Sequence, residues 1–101
     1  MPLTASNSGK TLTIAIEGTL NATLQKEFKA CYKDVTNQME EFVLDFSKVE
    51  FADSSGLGLL LILHGTTRAS PLKPKLKITN TKPNIAEILK ISRFDQHFEI
   101  S

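Results

Sequence analysis

The sequence predicts a single α/β domain in which helices pack against one small sheet. The 101-residue chain, with 41% hydrophobic and 23% charged residues, has the size and composition of one globular domain. Along it, apolar spacings of two alternate with spacings of three and four. This alternation predicts the order strand, helix, strand, helix, strand, helix, strand.

The start of the 1–101 domain contains a flexible segment and a strand. Residues 1–9 are small and polar, so we expect a flexible N-terminal segment. Leu12, Ile14 and Ile16 then alternate with polar or small residues. This period of two predicts a strand with one buried face.

The next segment changes its period. From Asn21 to Met39, apolar residues recur at spacings of three and four, which predicts an amphipathic helix capped by Asn21 or Thr23. The nearly continuous apolar run at residues 42–46 predicts a central strand covered on both faces.

Two more helices and two more strands complete the predicted domain. The second helix opens at Ser54 or Ser55 and runs to about Thr67. The alternating stretch KLKI predicts a strand, and Pro83 stands near the start of a third helix. The closing HFEI predicts a final short strand.

Composition excludes several classes of protein. The seven-residue apolar run Leu57–Leu63 is far shorter than the roughly 20 residues that span a bilayer. The opening MPLTASNSGK has no apolar core of a signal peptide, and the single Cys31 has no partner for a disulfide or a metal site. We therefore expect a cytoplasmic protein with no membrane insertion and no metal.

The formal net charge of +1 hides an asymmetry between the two parts of the chain. Residues 1–65 carry a net charge of −3, and residues 66–101 carry +4. The basic part is either a solvated lysine face or a surface that meets an acidic partner. Residues 66–93 contain no aromatic side chain, which disfavours a nucleic-acid site.

The stretch FADSSGLG, residues 51–58, carries most of the functional information. Asp and Ser are favoured helix caps, and capping alone explains most such pairs. Here three candidates stand in a row, Gly56 and Gly58 follow them, and the apolar run has no polar break. The alternative is a contact surface at a helix N-terminus, where a phosphorylated serine would be tolerated by the fold but would repel a partner.

The same stretch is not expected to be catalytic. A nucleophilic serine needs a general base, yet His64 lies ten residues on from Ser54, about 15 Å along a helix, and His97 lies in the last strand. Neither G-x-S-x-G nor a P-loop ending in Gly-Lys-Ser/Thr is present. We therefore expect no enzyme, and a cofactor- or nucleotide-binding module is disfavoured.

The order of elements and the segments TLTIAIEGTLN, FVLDFSKVEFADSSGLGLLL and LKITNTKPNIAEILKISRFDQHFEI resemble the STAS domain of bacterial anti-sigma factor antagonists, or anti-anti-sigma factors. The resemblance implies a single STAS-like domain with helices mainly on one side of the sheet, and we expect it to be a monomer when alone. It also implies a partner switch. The unphosphorylated protein binds a serine kinase/anti-sigma factor, phosphorylation of Ser54 breaks the complex, and a PP2C-type phosphatase reverses it.

By position, the resemblance also implies a partner-binding surface around Ser54. Asn21 stands where the family usually has Asp. The residues that would form this surface are Asp53, Ser55, Gly56, Leu57, Gly58, Thr19, Leu20 and Asn21.

Two alternatives remain within the same resemblance. The ISRFDQHFEI ending is similar to that of compact STAS proteins linked to biofilm, motility or general stress control, whose partner is a response regulator with kinase or phosphatase output. Small STAS subunits of lipid-transport ABC complexes are the other, although these often lack the loop serine that is present here.

Overall fold

A computed structural model describes residues 3–101, and the predicted alternation of strands and helices is confirmed, with one strand added at the N-terminus. Short 3₁₀ turns lie at Ala22–Leu24, Thr36–Gln38 and Phe94–Gln96. The main elements are β1 (Leu3–Ser8), β2 (Thr11–Leu20), α1 (Gln25–Tyr32), β3 (Glu41–Ala52), α2 (Ser54–Arg68), β4 (Lys75–Thr79), α3 (Pro83–Ile91) and β5 (Glu99–Ile100).

The strands form one sheet in the order β1-β2-β3-β4-β5. β1 is antiparallel to β2, and the other neighbouring pairs are parallel. Because β2 and β3 are parallel neighbours, their carboxyl ends meet at the same edge of the sheet. The turn after β2 and the loop after β3 therefore lie side by side, and this places the predicted site.

The core lies on one face of the sheet. Alternate strand residues such as Ile14, Leu44 and Ile78 are fully buried there under the helices. On the opposite face, Val43 and Asp45 are only half-buried. The prediction of helices mainly on one side is thus confirmed. The prediction that β3 is covered on both faces is wrong, because no helix of residues 3–101 packs over the face that carries Asp45.

The N-terminal segment differs from the expectation of a flexible segment at residues 1–9. Leu3–Ser8 form β1, whose residues pair with Thr11–Ile16 of β2 through a turn at Gly9. Only Leu3 is buried in this strand, so its pairing depends on main-chain hydrogen bonds rather than on an apolar face. Met1 and Pro2 lie outside the described residues.

The first helix is shorter than predicted. α1 ends at Tyr32, and a 3₁₀ turn at Thr36–Gln38 continues the chain to β3. The Thr36 hydroxyl donates to the Tyr32 carbonyl at 2.7 Å, and Met39 is buried beyond it. The apolar spacing thus continues through a turn that the sequence pattern does not separate from a helix.

Within residues 3–101, no helix has the length and apolar character needed to cross a lipid bilayer.

Candidate functional site

The site is built from the turn after β2 and the loop between β3 and α2. Leu20 and Ala52 are register partners at the ends of their strands, and the Asp53 amide donates to the Leu20 carbonyl at 3.2 Å. The two segments are therefore joined by main-chain bonds before any side chain contributes. Further contacts then place each polar group of the DSSG stretch.

Asp53 is the N-cap of α2. Its backbone is extended, and Oδ1 accepts from the Gly56 amide at 2.9 Å and from the Ser55 hydroxyl at 2.6 Å. The Ser55 hydroxyl first, and then the Gly56 amide, hold the pKa of Asp53 below its usual value. The carboxylate is thus ionised at neutral pH, next to the positive end of the helix dipole.

Ser55 connects the two loops. Its hydroxyl accepts from the Ala22 amide at 2.9 Å while it donates to Asp53. On the other side of this connection, Asn21 caps its own turn by accepting from the Thr23 amide at 3.0 Å. Asn21 therefore performs the capping for which Asp is also suited, without adding a charge.

Ser54 has no such structural task. It is the first residue of α2 and is exposed, and its hydroxyl makes no hydrogen bond with any residue in 3–101. The three capping candidates are thereby separated: Asp53 caps, Ser55 bridges, and Ser54 presents its hydroxyl to solvent.

Gly56 is required by a close approach within the chain itself. A Cβ added there would lie 2.0 Å from the Leu20 carbonyl oxygen and 2.5 Å from its carbon. Gly58 faces open space, with nothing within 4 Å of an added Cβ. A close contact therefore explains Gly56 but not Gly58, and the contact is with Leu20.

The predicted surface residues divide by burial. Leu20 is 0% exposed and Gly56 is buried, so these two shape the site from beneath. The six that reach the surface, wholly or in part, are Thr19, Asn21, Asp53, Ser55, Leu57 and Gly58.

Sequence reasoning did not identify the exposed apolar residues beside Ser54. Leu61 is 52% exposed and lies on the same outward face of α2 as Ser54 and Gly58, at spacings of four and three. Phe51, at the end of β3, is 64% exposed. The unbroken apolar run indicates more apolar residues than one buried helix face needs. Which of them are exposed depends on how the helix is rotated about its axis relative to the core. Leu59, by contrast, is buried.

The histidines lie elsewhere. The rings of His64 and His97 are in contact near the far end of α2, with their centroids 4.2 Å apart and their planes tilted by 38°. His64 is about 15 Å along the helix from Ser54. Neither ring is in position to act as a base for this serine.

We expect Ser55→Ala to lower the free energy of unfolding by about 1 kcal/mol, because the Ala22 amide loses its acceptor. Ser54→Ala is the matched control and should change it by less than about 0.5 kcal/mol. Urea unfolding followed by circular dichroism measures both variants. Equal losses in the two would contradict the assignment of the bridge to Ser55.

Comparison with known proteins identifies the family of the chain. The family model described as "Mlab, STAS domain" matches residues 3–100. A STAS-domain containing protein of Pseudomonas aeruginosa is 34% identical over 103 residues, which cover 100% of both chains.

Two solved structures share the fold. The phosphorylated form of SpoIIAA from Bacillus has a TM-score of 0.74 at 19% identity, over 98% of this chain and 90% of that chain. A Thermotoga maritima protein, provisionally assigned as an anti-sigma factor antagonist, has a TM-score of 0.82 at 16% identity, over 97% and 84%. The resemblance seen in the sequence is confirmed: this chain belongs to the STAS domain family.

Proposed function

We propose that this protein is a phosphorylation-controlled anti-sigma factor antagonist with Ser54 as its switch residue. In its unphosphorylated form it binds a serine kinase that is also an anti-sigma factor. Phosphorylation of Ser54 releases this partner, and a PP2C-type phosphatase restores binding. The observation that carries the proposal is the exposed Ser54 hydroxyl, which has no structural hydrogen bond among the described residues.

The contacts of the two serines favour Ser54 over Ser55 as the modified residue. A phosphoryl group on Ser55 would break its bonds to Ala22 and Asp53, and with them the connection between the two loops. A phosphoryl group on Ser54 would break no bond of the fold. It would also lie at a helix N-terminus, which tolerates negative charge.

The charge around Ser54 is the reason why phosphorylation would weaken partner binding. Phosphorylation adds about −1.5 to −2 charges at this position. Asp53 is already ionised there, since hydrogen bonds lower its pKa. A partner surface that had packed against a neutral hydroxyl would then face a dense negative charge, and burying this charge without a counterion is unfavourable.

The surface next to Ser54 suits a protein partner. Leu57 is half-buried and Leu61 is exposed on the outward side of α2, and Phe51 is exposed at the end of β3. An apolar patch beside a polar, modifiable group is typical of protein contact surfaces. SpoIIAA, which shares this fold, is described as an anti-sigma factor antagonist in unphosphorylated and phosphorylated forms.

The intact mass of the protein purified from its own host tests the proposal. We expect a species heavier by one phosphate in the wild type and in Ser55→Ala, and none in Ser54→Ala. Ser54→Asp should bind the copurifying partner at least about tenfold more weakly than wild type, as measured by calorimetry.

Three outcomes would contradict this function. If no growth condition produced a phosphorylated form, the protein would be a constitutive adaptor and Ser54 only a surface residue. Copurification of an ATPase subunit in place of a kinase would favour a subunit of a lipid-transport complex. A response regulator in the same experiment would favour the compact signalling proteins of biofilm or motility control.

A further inference from the structure

A basic groove lies at the end of the molecule away from Ser54. It has a volume of about 460 Å³ and lies where the end of α2 meets β4 and the segment before β5. Arg68 is about 21 Å along α2 from Ser54. Lys75 is the first residue of β4 and pairs with Glu41 at the start of β3, whereas the DSSG loop follows the other end of β3. The groove is lined by Arg68, Lys75, Leu76, Lys77, His97 and Glu99.

Positive charge in this groove exceeds negative charge. Lys77 is neutralised by Glu41 at 3.1 Å and by Glu99 at 3.7 Å. Arg68 donates to the Pro74 carbonyl, and within residues 3–101 neither Arg68 nor Lys75 has a carboxylate partner. Two cations therefore remain available to an incoming anion.

His97 lines the groove, and its ring is in contact with that of His64. Partial burial, then His97 and then Arg68 lower the pKa of His64.

The groove also exposes an unpaired edge of the sheet. β5 pairs with Lys77 and Ile78 only, so no described strand lies beside the first residues of β4. The Lys75 amide donates to the Glu40 carbonyl on the β3 side, so the main-chain groups of Leu76, the next residue, point to the unpaired side. Such an edge accepts an extended segment as an added strand.

We propose that this groove binds an acidic, extended segment of a partner protein, at a site separate from Ser54. Carboxylates on alternate residues of the segment pair with Lys75 and with Arg68, which suits bidentate contact. The main chain of the segment pairs with the edge of β4. The acidic segment thus supplies the negative charge that the groove lacks.

The groove does not suit a compact phosphate. Phosphate sites generally use backbone amides at a helix N-terminus or a glycine-rich loop. The helix end nearest this groove is the C-terminus of α2, which carries partial negative charge. None of the groove-lining residues is a glycine. Attraction therefore comes from separated side chains, and an extended chain can meet them one by one.

A labelled peptide that alternates glutamate and threonine tests this proposal by fluorescence anisotropy. Low salt is used because screening weakens exposed ion pairs. We expect saturable binding that Lys75→Glu weakens by at least about tenfold. Lys33→Glu makes the same charge change on an exposed residue that does not line the groove and should leave the affinity unchanged. Lys75→Gln is the second variant if Lys75→Glu does not fold.

Amide chemical shifts from a ¹⁵N-labelled sample locate the bound peptide. We expect the largest changes at Leu76, Lys77 and Arg68. Equal binding of the same peptide with glutamine for glutamate would overturn the proposal, as would equal losses in Lys33→Glu and Lys75→Glu. Displacement of the peptide by inorganic phosphate at concentrations no higher than the peptide Kd would assign the groove to small anions instead. Ser54→Asp should bind the peptide like wild type, so this proposal and the Ser54 switch can fail separately.

Discussion

Gly56→Ala is expected to lower the free energy of unfolding by about 3 kcal/mol or more. The added methyl carbon would lie 2.0 Å from the Leu20 carbonyl oxygen, and main-chain atoms cannot rotate away as a side chain does. Either the end of β2 or the start of α2 must shift. Such a shift breaks the bond from Asp53 to Leu20 and the bond from Ala22 to Ser55. Urea unfolding followed by circular dichroism measures the loss.

Gly58→Ala is the matched control for this prediction. It places the same methyl group two residues further along the same helix, where nothing lies within 4 Å. Alanine is the better helix former by up to about 1 kcal/mol, so this variant should be as stable as wild type or more so. If both variants lost the same stability, the contact with Leu20 would not be the cause of the loss in Gly56→Ala.

Leu59→Lys is expected to unfold the protein, with a loss of more than about 4 kcal/mol. Leu59 is 4% exposed and packs in the core, so the ammonium group would be buried without a counterion. Leu61→Lys makes the same change two residues later, on the exposed face of α2. Its stability should stay within about 0.5 kcal/mol of wild type.

The same pair of variants tests the partner surface. Leu61→Lys should fold and yet bind the copurified partner at least about tenfold more weakly, because a charge replaces an apolar contact beside Ser54. Circular dichroism establishes folding, and calorimetry measures binding. A folded Leu61→Lys variant with wild-type affinity would place the contact surface away from the outward face of α2.

Most of the fold could be predicted from the sequence because an element that buries one face has apolar residues at a regular spacing. β2 and α3 each bury one face, and their apolar spacing gives their type directly. β1 could not be predicted in this way. It carries a single buried apolar residue, Leu3, and is held by main-chain pairing that leaves no trace in side-chain spacing.

The candidate site could be located from the sequence, but the tasks of its residues could not be assigned. The residues DSSG before an apolar run indicate the start of a helix and a contact surface at its N-terminus. The partner of Ser55 is the Ala22 amide, 33 residues earlier in the chain. The reason for Gly56 is likewise a carbonyl on another strand. Both contacts exist only because β2 and β3 are parallel neighbours, and no local pattern contains that information.

Because Asp53 and Ser55 hold the two loops together, position 54 can change without loss of stability. A single substitution there could remove or restore a hydroxyl for a kinase while the folded domain stays the same. Relatives of this chain could therefore pass between regulated and permanently active forms in one mutational step. Change at position 55 is more restricted, since the new residue would have to replace a bond between two loops. Over evolutionary time, we expect the second serine to vary less than the first.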